Sequence, residues 1–195
     1  MLKLLVFTLS LFPLGAVIYR LLVDQLGANP VEVFTEESGL WALRFLWLTL
    51  LLRPLQRLLK RAWPARLRRM MGLYAYFYLC LHVLTFLWLE HFWDITDIVD
   101  DVIEHPYVLA GVLAFLLMTP LAVTSNRFSM HTLKASWKRL HRLVYVISLL
   151  SILHFIWLVK ADLLEPAIYL VLLIGLYAWR FVTDLLGSTT ARTRT

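Results

Sequence analysis

Apolar residues run through this chain in long unbroken stretches, with neither the alternation of a half-buried strand nor the narrow stripe of a soluble amphipathic helix. Such stretches lie near 2–23, 39–59, 71–89, 106–124, 141–159 and 164–183. Each is close to the roughly 20 residues that a helix needs to cross a bilayer. The pattern predicts an all-α integral membrane protein, a six-helix bundle forming one domain over residues 1–195. The first stretch extends to Val23 with no clear small-residue cleavage site, so it reads as a retained helix rather than a signal peptide. Pro13, Pro54 and Pro120 fall within or at the ends of the stretches, where each kinks a helix and frees a carbonyl. No sequence repeat is visible, which disfavours the duplicated plan of many transporters.

The polar segments between the stretches are sorted by charge. Arg53, Arg57, Lys60, Arg61, Arg66, Arg68 and Arg69 follow one another without an acid, and Arg127 to Arg142 adds five more basic residues. The alternate segments are acidic, with Glu32, Glu36 and Glu37 in one and Glu90, Asp94, Asp97, Asp100, Asp101 and Glu104 in the other. The positive-inside rule puts the basic segments in the cytoplasm, and six crossings then leave both termini there too. Arg180, Arg192 and Arg194 near the end of the chain agree. Within the second acidic segment, Ile95, Ile98, Val99, Val102 and Ile103 recur at helical spacing, which predicts a short amphipathic helix resting on the outer membrane face.

Composition narrows the picture further. With 61% hydrophobic and 16% charged residues, the chain is far more apolar than a soluble domain. The net charge of +6 is explained by topology and is not a nucleic-acid signal. No dinucleotide fingerprint, phosphate loop or paired-cysteine motif is present, and the single Cys80 is a small apolar filler.

The chemistry lies in the histidines. His91 and His105 fall in the acidic segment and His131 in the basic one, where solvated surface roles are the default. His82 and His154 stand inside apolar stretches, where an ionisable side chain is costly and faces the bundle interior, either for an interhelical hydrogen bond or for a ligand. At about 1.5 Å per residue, His82 lies roughly 12 Å from Glu90 and His154 roughly 9 Å from Lys160, so the two share a level. Two histidines from neighbouring helices at one depth suit the axial ligation of a haem. A bare ion would need further ligands, and none stands at that depth. His141 lies about 20 Å further along the same stretch and suits an inner haem less well. Counting as far back from His82 reaches Arg68 or Arg69, not a histidine. In a regular helix His141 also points some 140° away from His154. Arg68, Arg69 and Arg142 are candidate partners for haem propionates, since a guanidinium binds a carboxylate through two bonds, although the positive-inside rule alone accounts for their presence.

Read together, "LGANPVE" at 26–32, "WALRFL" at 41–46, "RRMMGLYAYFYLCLH" at 68–82, "HPYVLAG" at 105–111, "SWKRLHRLVYV" at 136–146 and "LHFIWLVKADLLEP" at 153–166 resemble the MsrQ (YedZ) family. That family supplies the haem-binding membrane subunit of the periplasmic methionine sulfoxide reductase system. The resemblance covers nearly the whole chain. It implies a ferric-reductase-like transmembrane domain in a bacterial inner membrane, with His82, His141 and His154 at the family's haem-ligand positions and one or two b-type haems. It implies an electron-transfer subunit rather than the catalytic one, fed by the quinone pool or a cytoplasmic flavin reductase. The implied recipient is a periplasmic molybdenum-containing reductase, its heterodimer partner, which repairs oxidised periplasmic proteins. It also implies FMN, for which no residue here can be singled out. His105 departs from the family, whose members often carry Arg or Lys before Pro-Tyr.

Two rival readings follow from the same residues. The core could reduce ferric or cupric ions without a protein partner. Alternatively, the intramembrane histidines could be relays of a transporter, or the chain an assembly factor.

Overall fold

A computed structural model describes residues 1–159 and 163–192, with side chains to Thr183. Lys160 and Arg194, used above to set depth and orientation, lie outside the described residues, as does the side chain of Arg192. Eight α-helices run in chain order: α1 Leu2–Leu22, α2 Pro30–Leu59, α3 Trp63–Leu84, α4 Ile95–Glu104, α5 Pro106–Val123, α6 Arg127–Leu140, α7 Val144–Leu158 and α8 Leu164–Arg192. A π-helical turn, Thr85–Glu90, prolongs α3, and a 3-10 turn, His141–Leu143, leads into α7. No strand occurs among the described residues.

Local sequence sets most of the boundaries. α2 starts at Asn29, whose side chain accepts from the Glu32 amide at 3.3 Å and donates to the Glu32 carboxylate at 3.0 Å. Pro30 occupies the first helical position, where its missing N–H has no intrahelical bond to lose. α2 ends where Lys60 turns left-handed, with φ 50, and α3 begins at once with Trp63 and Pro64. Such a short turn forces α2 and α3 into an antiparallel hairpin. α4 is capped by Asp94, which accepts from the amides of Thr96 and Asp97, and α6 by Asn126, which accepts from Ser129 at 2.7 Å.

The bundle is built on two hairpins, α2 against α3 and α5 against α7. The first has an aromatic core: Phe45 stacks on Tyr74 and Tyr78 with ring centres 5.5 and 5.4 Å apart. The second has an aliphatic one, with Met118, Ile147 and Ile152 buried. α1 leans on the first hairpin through two tyrosines of α3. Tyr74 donates its hydroxyl to the Phe7 carbonyl at 2.8 Å. The Tyr78 hydroxyl donates to the Ser10 carbonyl at 2.8 Å and accepts the Leu14 amide at 3.3 Å, so it sits inside the helical ladder that Pro13 interrupts. α8 packs on α2 and α7. Its Tyr169 carbonyl accepts the Trp47 indole N–H at 3.0 Å and its hydroxyl accepts Arg44 Nε at 2.9 Å.

Five helical stretches are long and apolar enough to cross a membrane: Leu2–Leu22, Trp63–Glu90, Pro106–Val123, Arg127–Leu158 and Leu164–Thr183. The helix α2 is longer than any single α-helix among these, but Arg44 and Arg53 lower its hydropathy. Arg44 is not left bare, since it meets Tyr169, lies 3.6 Å from Glu165 and sits 4.8 Å over the Trp41 ring.

Several expectations change in detail. The second stretch begins as helix at Pro30 rather than near 39, because the Asn29 cap nucleates it within the acidic segment. The basic segment after Arg127 is a helix, α6, broken where Lys134 leaves helical geometry at φ 46, ψ −114. The fifth apolar stretch, near 141–159, changes geometry at His141–Leu143, so a regular turn count from His154 to His141 does not hold. The amphipathic helix expected in the second acidic segment is present as α4, with Ile95, Val99 and Ile103 exposed along it.

Candidate functional site

His82, near the end of α3, and His154, near the end of α7, face each other with ring centres 6.0 Å apart and ring planes at 83°. Two imidazoles bound through nitrogen to opposite sides of one metal at about 2 Å have ring centres roughly 6 Å apart. Each ring is tied back in the same way. His82 Nδ1 is 2.9 Å from the Thr35 carbonyl and His154 Nδ1 is 2.6 Å from the Tyr107 carbonyl. A carbonyl only accepts, so Nδ1 carries the proton and Nε2 keeps its lone pair, the tautomer that a metal ligand needs. Neither Nε2 has a hydrogen-bond partner among the described residues. No group of three or more His, Cys, Asp or Glu is placed to hold a bare ion among those residues. The donor set therefore fits a macrocycle that brings its own equatorial ligands.

The two histidines occupy equivalent places in the two hairpins. In each, 47 residues separate the carbonyl from the ring it holds, and adding 72 to Thr35 and His82 gives Tyr107 and His154. The buried residues of α2 follow the same offset: Ser38, Ala42 and Leu46 match buried Ala110, Ala114 and Met118 of α5. A structural repeat is thus present that the sequence hardly displays, because the few identical pairs, such as Ala42 with Ala114 and His82 with His154, are scattered among matched residues that agree only in size and burial.

His141 stands apart from this pair. Its Nδ1 donates to the Trp137 carbonyl at 3.1 Å, its ring stacks on Trp137 with centres 3.9 Å apart, and Nε2 lies 3.5 Å from Ser125 Oγ. No second imidazole touches it among the described residues. Arg69 holds the register of His141 in the first hairpin, on the 72-residue offset. Arg68 lies within electrostatic reach of His141, and Arg68, Arg69 and Arg142 are exposed. At the opposite end, Asp101 joins two of the surface histidines, 3.4 Å from His91 Nε2 and 2.7 Å from His105 Nδ1. The His105 ring lies 5.4 Å from that of Tyr107, which in turn lies 6.1 Å from His154.

Residue types alone do not reveal Thr35 and Tyr107, because each contributes a backbone carbonyl. Their signal is the equal spacing to the two intramembrane histidines.

Comparison with known proteins places this arrangement. Residues 38–152 match the family described as ferric reductase like transmembrane component. A protein of Azospira oryzae, named protein-methionine-sulfoxide reductase heme-binding subunit MsrQ, is 46% identical over 178 residues, covering 90% of this chain and 76% of that protein. Proteins of the same name from Herminiimonas arsenicoxydans and Xanthomonas campestris are 45% and 48% identical, over 87% and 80% of this chain and 79% and 72% of theirs. No solved structure matches. With His82 inside the matched ferric-reductase segment and His154 just beyond its end, and with identity at this level along most of both chains, the chain belongs to the MsrQ family.

Proposed function

We propose that this chain is the electron-carrying membrane subunit of a methionine sulfoxide reductase system, holding b-type haem. The observation that carries the proposal is the His82–His154 pair, with ring centres 6.0 Å apart and each Nδ1 committed to a carbonyl. These two residues would hold a haem near the acidic end of the bundle, each through its Nε2. His141, whose Nδ1 is likewise on a carbonyl, offers Nε2 to a second haem near the basic end. Arg68, Arg69 and Arg142 stand at that end to meet propionates. Bound haem supplies one-electron chemistry over a potential range that ligation and burial tune. The chain contributes the rest: fixed imidazole tautomers, orientation of both rings, and apolar walls that keep water away. No side chain is required as acid, base or nucleophile.

The basic turns face the cytoplasm of a bacterial inner membrane, α2 is the sixth crossing, and both termini are cytoplasmic. The donor is the quinone pool or a cytoplasmic flavin reductase. The recipient is a periplasmic molybdenum-containing reductase that forms a heterodimer with this subunit and repairs oxidised proteins. The names of the relatives support a reductase partner. Nothing among the described residues marks a place for FMN, and the proposal assigns it no step.

The test is the haem content and reduced optical spectrum of purified His82→Ala and His154→Ala variants. Both should lose the bis-histidine signal. Full haem content with an unchanged spectrum, at normal yield, would overturn the assignment. The ferric reductase match favours a second reading, in which the chain reduces a ferric chelate by itself. Purified protein given a quinol and a ferric chelate, without the reductase subunit, separates the two.

A further inference from the structure

We propose that Gly39 and Gly111 are positioning residues that set the hydrogen bond and ring plane of the two facing histidines. The inference rests on the bis-histidine reading given above. A Cβ at Gly39 would stand 2.9 Å from His82 Nδ1 and 3.0 Å from its Cε1. One at Gly111 would stand 3.0 Å from His154 Nδ1 and 3.2 Å from its Cε1. Those distances are too short for an ordinary side-chain contact. The neighbour that would have to give way is a ring already tied to a backbone oxygen.

Helix geometry explains why glycine falls here. Gly39 is four residues after Thr35 and Gly111 four after Tyr107, so in each helix the glycine lies on the same face, one turn beyond the accepting carbonyl. In a regular helix that carbonyl also accepts the glycine's own N–H. At Tyr107 the second lone pair is then what His154 Nδ1–H uses, while at Thr35 the oxygen is shared by His82 Nδ1–H, at 2.9 Å, and the Ser38 hydroxyl, which donates to it at 3.0 Å. A side chain at the glycine would occupy the approach to that oxygen. Without one, the Nδ1–Cε1 edge of the imidazole comes close to the neighbouring backbone and reaches the oxygen. A strong Nδ1–H bond raises the electron-donating power of Nε2 and fixes the rotation of the ring. Gly39 and Gly111 therefore act on the metal through the ligand, with no contact of their own required.

Two further observations separate these glycines from the rest. Gly72, also inside a helix of the first hairpin, would meet only Thr49, at 3.7 Å and beyond, and Gly15 and Gly175 would meet nothing within 4 Å. The pair also recurs on the 72-residue offset that relates the two hairpins, so the same solution stands in both.

The experiment compares wild type with Gly39→Ala, Gly111→Ala and the control Gly175→Ala, each purified from membranes. Haem per protein, electron paramagnetic resonance g-values of the oxidised form and the midpoint potential from optical redox titration are recorded. Both histidine-facing variants should show shifted g-values and potential, or a several-fold loss of haem, while Gly175→Ala matches wild type. Wild-type g-values and potential at full haem content in both variants would overturn the proposal. A wild type without any bis-histidine signal would bring down the haem reading itself, and the inference with it.

A second measurement covers poor folding. In His154→Gly supplied with free imidazole, the ring is no longer tethered to α7 and can move aside. Adding Gly111→Ala to that background should cause no further loss of yield or of imidazole-restored haem. A double variant that fails as badly as Gly111→Ala alone would assign the glycine to helix packing and overturn the proposal.

Discussion

The α2–α3 hairpin and the α5–α7 hairpin each bring one histidine to the acidic end of the bundle and hold it against a carbonyl of the partner helix, at 2.9 and 2.6 Å. At the basic end they part company. The second hairpin has His141 stacked on Trp137, while the first has Arg69 at that register. Their interiors differ too, with stacked aromatic rings in one and aliphatic side chains in the other. What the two share is the ligand geometry; what they do not share is the means of packing. A helical hairpin can therefore keep a ring, a carbonyl and a gap in register while nearly every other side chain is replaced.

The largest expected effect tests the equivalence directly. His82→Ala and His154→Ala should abolish the same haem signal to the same extent, since on the proposed ligation each removes one of the two imidazoles, and a large difference in residual haem between them would break the symmetry. The next contrast concerns the ends that differ. His141→Ala should lower haem iron from two per protein to one, whereas Arg69→Ala should leave the count unchanged. A count of one in wild type would strip His141 of an axial role.

Smaller effects probe the packing. Tyr78→Phe removes the hydroxyl that serves both Ser10 and Leu14, at about 1 kcal/mol for each bond, and should lower the thermal midpoint by a few degrees without moving the haem spectrum. The smallest contrast lies at the helix starts. Asn29→Ala removes a side-chain cap worth about 1 kcal/mol. His105, at the equivalent start of α5, makes no side-chain cap bond, so His105→Ala should lack that capping penalty. Thermal unfolding of the two variants followed by circular dichroism checks the difference.

Much of this was readable in advance. Long apolar stretches marked the apolar helices, and counting residues from Glu90 and Lys160 put His82 and His154 at one depth. The start of α2 was hidden because Glu32, Glu36 and Glu37 look like loop, while the cap that makes them helical depends on Asn29 and Pro30 acting together. The repeat was hidden because Ser38 and Ala110, or Leu46 and Met118, are interchangeable in a buried seam yet unlike as letters. Thr35 and Tyr107 were hidden for a plainer reason: a carbonyl is present at every residue, and only the fold says which one a histidine meets.

The hydroxyl of Tyr78 inside the broken ladder of α1 has a consequence for the order of assembly. α1 leaves the ribosome before α3 and reaches the bilayer with its ladder weakened at Pro13, which has no N–H to donate. The hydroxyl that bridges the neighbouring Leu14 N–H and Ser10 carbonyl lies 64 residues beyond the one and 68 beyond the other, on a helix made two crossings later. Until α3 arrives, the weakened stretch of α1 lacks that outside partner in hydrocarbon, a condition that disfavours settling alone. Tyr78 is also one turn before His82, so the contact that braces α1 anchors the helix carrying that imidazole at the same moment.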